Sequence, residues 1–144
     1  MARDEMDQSS EMARIVAEVL DRPDLNGIYR LSRTLPGLRP VLDGRELQDK
    51  SALLAGIARA LAFPEYFGGN WDALEECLRD MSWRSGQISL LIEHADAIPA
   101  DLLATFVDIA AQMAEQWACE GRVCSLFLCG LDEGRFSAEI PLLA

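Results

Sequence analysis

The stretch Phe63-Pro64-Glu65-Tyr66-Phe67-Gly68-Gly69-Asn70-Trp71-Asp72-Ala73-Leu74-Glu75-Glu76-Cys77-Leu78 reads as an aromatic, glycine-containing loop that runs directly into a helix. Asn70 is a favoured N-cap, because its side-chain oxygen can accept from an otherwise orphaned amide of the first turn. The spacing predicts a helix from Trp71 to about Met81, with Leu74, Cys77, Leu78 and Met81 on one face. At 100° per residue, Asp72, Glu76 and Arg79 fall opposite that stripe, joined by Trp83 if the helix reaches it, and Glu75 lies on the flank. Carboxylates at i and i+4 repel by roughly a few tenths of a kcal/mol, a penalty without structural purpose. A structural explanation exists as well. The helix dipole favours Asp72 in the first turn, and Glu76 can pair with Arg79 in water.

Outward from this segment the pattern is regular. Val41-Leu42 end a short strand at the Asp43-Gly44 turn, and Leu47 to Leu61 is an alanine- and leucine-rich helix with Asp49 or Ser51 as cap. Ile88 to Ile92 and Val123 to Leu128 are nearly continuous apolar runs, the form of strands covered on both faces. Between them, Pro99 opens a long helix with Leu102, Phe106, Ile109, Met113 and Trp117 on its stripe, stopping near Gly121. Strand, helices, strand, helix, strand is the order of an α/β layer structure with a small parallel sheet. Upstream, Met12, Ile15, Val16, Val19 and Leu20 suggest a short amphipathic helix ending before Pro23, and Gly27 to Leu31 has weak strand character. Pro36-Gly37 and Pro40 punctuate a linker. The expected organisation is an N-terminal extension over 1–37, a main domain over 38–130 and a tail over 131–144.

The chain has 144 residues, half of them hydrophobic, enough for one well-buried core. With 24 acidic against 13 basic residues, its formal charge of −11 repels phosphate backbones and anionic lipid and attracts a basic protein. Direct nucleic-acid binding is not expected, although acidity also serves solubility alone. No stretch approaches the roughly 18 apolar residues of a membrane span, and the early acids do not resemble a leader, so a cytoplasmic location is expected. Cys77, Cys119, Cys124 and Cys129 are then read as reduced, buried thiols. The spacing of the last three fits no common zinc signature, and the odd separation of Cys124 and Cys129 aims them at opposite faces of a strand.

Pro64 to Leu78 resembles the Pro-Glu-Tyr-Tyr-Gly-Glu-Asn-Leu-Asp-Ala-Leu-Trp-Asp-Cys-Leu signature of the barstar family, with weaker similarity over roughly 38–130. The resemblance implies a three-stranded parallel sheet packed with helices, to which Ile28 to Leu31 would add an N-terminal edge strand. It also implies an intracellular inhibitor, monomeric and binding 1:1, that inserts this loop and helix into the active site of a basic extracellular-type ribonuclease or related toxin. By position, Tyr66, Phe67, Gly68 and Asn70 would form the loop contacts, Asp72 the first carboxylate, and Glu76 the carboxylate at the family's central aspartate. Two departures matter. Glu75 stands where the family has tryptophan, and Glu76 reaches one methylene further than the family's aspartate. Trp83 lies near a second family tryptophan, displaced along the chain. A further family acid on the long C-terminal helix falls near Gln116, with Glu115 or Glu120 reached only by shifting the alignment.

The chain offers no nucleophile elbow, phosphate loop or metal motif, and its one histidine, His94, follows a predicted strand, the usual setting of a surface residue. No catalytic residue, cofactor or metal is expected. Two alternatives to a ribonuclease inhibitor remain at this level. One is a binding module of the same fold for a different basic toxin or regulatory protein. The other is a carboxylate- or metal-dependent enzyme using Asp72 and Glu76, for which no third ligand is in evidence.

Overall fold

The computed structural model describes residues 2–64, 68–81, 86–131 and 140–144, with side chains from Ser10 onward. Four strands, β1 (Gly27–Leu31), β2 (Val41–Asp43), β3 (Ile88–Glu93) and β4 (Cys124–Cys129), form one sheet in the order β1-β4-β3-β2. All three pairings are parallel, with Ile28 opposite Leu126, Leu90 opposite Leu126 and Leu42 opposite Ile92. The expected three-stranded sheet with one extra edge strand is therefore present, and β1 is that strand.

Among the described residues four α-helices cover the sheet: α1 (Ala2–Val19), α2 (Lys50–Ala60), α3 (Trp71–Asp80) and α4 (Ala100–Cys119). Because strand side chains alternate, each central strand serves two cores. Ile88, Leu90 and Ile92 of β3 and Leu126 and Leu128 of β4 pack with Leu53, Leu54 and Ile57 of α2, Leu74 and Leu78 of α3, and Leu103, Phe106 and Trp117 of α4. Leu91 and Phe127 point the other way, against Met12, Val16 and Val19 of α1 and against Leu35 and Leu38 of the β1–β2 connection. The continuous apolar runs are thus explained by burial on both faces. At about 1.5–3 kcal/mol for each fully buried large apolar side chain, these two layers supply the main drive to fold. The two buried serines are bonded: Ser89 Oγ donates to the Arg39 carbonyl at 3.0 Å, and Ser125 Oγ accepts from the Gly27 amide at 3.3 Å.

Several boundaries differ from the sequence expectation. The helix expected from Leu47 begins at Lys50, because Asp49 caps it by accepting from the Ala52 amide at 2.8 Å. A 3₁₀ turn, Gly44–Glu46, precedes it. Gly44 is required there, since a Cβ would stand 2.1 Å from the His94 carbonyl oxygen. The N-terminal helix runs for 18 residues and is not short. Its expected stripe is buried at Met12, Val16 and Val19 and half-buried at Ile15 and Leu20.

Beyond β4, Ile140 is fully buried in the α2–α4 core. The residues after it lie along the outer edge of β1. The Arg30 amide donates to the Pro141 carbonyl at 2.8 Å, the Leu143 amide to the Arg30 carbonyl at 2.8 Å, and the Ser32 amide to the Ala144 carbonyl at 2.7 Å. These bonds satisfy part of an edge that would otherwise present unpaired backbone groups.

Candidate protein-binding face

Asn70 has extended backbone angles, and its Oδ1 accepts from the Ala73 amide at 2.8 Å, so it caps α3 as its position predicted. Gly68 and Gly69 before it are exposed, and Gly69 sits at φ +71°, a conformation that disfavours side chains. The first turn of α3 holds Trp71, half-buried against the α2–α4 core, with the Lys50 ammonium 5.8 Å from its ring centroid. Leu74, Cys77 and Leu78 are buried on the inner face. Asp72 and Glu76 are exposed, and among the described residues neither has a hydrogen-bond or ion-pair partner.

The sequence offered Arg79 to Glu76. In the structure the Arg79 guanidinium donates instead to Glu75 Oε1 at 2.8 Å, one helical turn away. Glu75 is half-buried on the flank, so its carboxylate is engaged while Asp72 and Glu76 are not. The face therefore presents two uncommitted carboxylates one turn apart.

The helix ends where the sequence places it, at Asp80 with Met81 as its C-cap. Met81 is left-handed at φ 40°, fully buried, and its amide donates to the Cys77 carbonyl at 3.0 Å. The register of α3 thus stops at Asp80, short of position 83. Trp83, Tyr66 and Phe67 lie outside the described residues. Sequence reasoning missed what anchors this end. Trp117 of α4, 1% exposed, donates its indole N–H to the Leu78 carbonyl at 3.1 Å, and the Arg122 guanidinium stacks 3.6 Å from the Trp117 ring centroid. A tryptophan on an apolar stripe reads simply as core. Only the approach of α4 to α3 shows that its N–H closes a helix end. Lys50 likewise carries no local signal, because it meets Trp71 only through the packing of α2 beside α3.

On α4, Gln116 is half-buried and Glu115 exposed, and the exposed Glu120 pairs at 3.7 Å with Arg122. Among the described residues no group of three His, Cys, Asp or Glu side chains could hold a metal. No described helix is long and apolar enough to cross a membrane. All four cysteines are free. Cys77 is buried, but Cys119 is exposed and the other two are half-buried, which corrects the expectation of uniformly buried thiols. Cys119 is the last residue of α4 and lies on its solvent side. Cys124 packs into the α2–α4 core and Cys129 into the α1 core, and burial pushes the Cys124 thiol up to about 12.

Residues 40–129, which hold α3 and three of the four strands, match the model of a known family, Barstar (barnase inhibitor). The chain belongs to the Barstar family. No curated protein sequence matches it. Among solved structures, Cdc6p from Pyrobaculum aerophilum aligns with a TM-score of 0.62 and 15% identity, over 94% of this chain. The chain spans 40% of that protein's length, and the likeness is one of fold alone.

Proposed function

We propose that the protein binds a basic ribonuclease and occludes its active site with the loop before Asn70 and the exposed face of α3, and that it catalyses no reaction itself. The observation that carries this reading is the pair of exposed carboxylates, Asp72 and Glu76, without partners among the described residues, on a helix of a barnase-inhibitor family fold. Carboxylates one turn apart can take the place of substrate phosphates before cationic catalytic groups. The formal charge of −11 would hasten encounter with such a partner. Gly68 and Asn70 set the loop's entry into the helix, Tyr66, Phe67 and Trp83 would add aromatic contact, and Glu75 would border the face. The complex would be a 1:1 heterodimer formed in the cytoplasm.

The test is inhibition of barnase, with the wild-type chain and Glu76→Ala compared at matched concentration. Glu76→Ala should weaken binding by about 2 kcal/mol or more, as a desolvated charge pair at an interface centre does. The same exposed substitution should leave unfolding within about 0.5 kcal/mol of wild type. A ribonuclease that binds yet stays active at saturation would refute occlusion and leave a binding module for another basic protein. Equal losses in binding and stability would assign Glu76 to the scaffold.

A further inference from the structure

The exposed surface of α3 is less acidic than its sequence. Asp72, Glu75 and Glu76 fall within two turns, yet the exposed Arg79 binds the half-buried Glu75 at 2.8 Å. The acid lies N-terminal to the base at i, i+4, the favourable order, and a cation suits the negative end of the helix dipole. Arg79 is thus held beside Glu75 by two effects that operate without any partner, while its other acidic neighbour, Glu76, stays uncommitted. Two consequences follow for an approaching basic surface. A third carboxylate is withheld from it, and a positive charge stands at the C-terminal rim of the acidic face. A protein that is basic across its whole contact area must place cations against Arg79. One whose cationic groups match Asp72 and Glu76, and which is neutral or acidic beyond them, need not.

We propose that Arg79 is a specificity-determining residue, which withholds Glu75 and biases the face toward a partner with a compact cationic centre over indiscriminate polycations. This rests on the reading of α3 as the binding face and adds a mechanism of exclusion to it.

The experiment uses the full chain with two probes, barnase and polylysine, titrated at low and moderate salt. Arg79→Gln is compared with Arg14→Gln, which makes the same charge change at an exposed site on α1, across the sheet from α3. Arg79→Gln should raise polylysine affinity roughly tenfold, well beyond Arg14→Gln, and should steepen the salt dependence. Its effect on barnase should be smaller, so that selectivity for barnase falls. Adding Glu75→Gln to Arg79→Gln should return polylysine affinity to the wild-type range, since the released carboxylate is then gone. Melting curves check the fold, which an exposed i, i+4 pair affects little. The proposal is overturned if Arg79→Gln matches Arg14→Gln, or if the gain survives the loss of Glu75. Glu76→Ala separates the two levels. If it weakens barnase binding while Arg79→Gln behaves like Arg14→Gln, the role of Arg79 alone is wrong. If it leaves barnase binding intact, or if no variant binds barnase, the reading of the face fails and the proposal with it.

Discussion

At the scale of single residues, the fold commits some charges and leaves others free. Asp43, at the end of β2, accepts from the Arg45 amide at 2.9 Å and from its guanidinium at 2.8 Å, and these bonds hold its carboxyl down at about 2. Asp72 and Glu76 receive no such bonds from the described residues. The depressed Asp43 carboxyl fixes the expected acid response. A carboxyl depressed in the folded state stabilises the fold once the pH is above its unfolded value of 3.8, and that contribution is lost as the pH falls toward 2. Acid unfolding should therefore shift to higher pH in Asp43→Asn, and its stability should vary less between pH 4 and 2 than that of wild type. Denaturant titrations at fixed pH steps measure this, and a variant whose stability tracks wild type throughout would show the Arg45 contact to be idle.

At the scale of elements, much was legible because local patterns and global packing agree. Asn70 and Asp49 both cap the helices their positions announce, and the runs at 88–92 and 123–128 are the two central strands. The face of α3 was legible for the same reason, since a helix with one apolar stripe dictates what lies opposite. What was not legible depends on contacts between distant segments. No periodicity says that the Trp117 indole will reach the Leu78 carbonyl, or that Lys50 will meet Trp71. The anchoring of α3 is of this kind, and it can be tested. Trp117→Phe keeps most of the buried ring but leaves the Leu78 carbonyl without its indole donor, in a place water does not reach easily. It should cost about 1–2 kcal/mol in equilibrium unfolding. Amide exchange should quicken in the last turn of α3 more than in α2, whose end that bond does not touch. Uniform quickening across both helices would mean that Trp117 contributes only bulk.

At the scale of the whole molecule, the matched family segment ends at Cys129, yet the sheet and its cores draw on chain beyond both of its limits. On the N-terminal side, β1 pairs with β4 along five residues, and α1 closes the face carrying Leu91 and Phe127. On the C-terminal side, Ile140 enters the α2–α4 core beside residues of the matched segment, and the stretch after it bonds to Arg30 and Ser32. A short run broken by Pro141 carries too little pattern to announce this, because its pairing is with a strand more than a hundred positions earlier. If these outer segments belong to one cooperative unit, a cavity made there must destabilise the centre. Ile140→Ala should then cost about 2–5 kcal/mol, the range for truncating a large side chain in a core that cannot fully collapse. The loss should appear equally by tryptophan fluorescence, which samples the buried Trp117, and by far-ultraviolet circular dichroism, with a single coincident transition. A preserved main transition with only a small early change would show instead that residues 140–144 peel away from a self-sufficient domain. In that case barnase inhibition should also be unaffected by Ile140→Ala, since the proposed binding face would stand on a scaffold that does not need them.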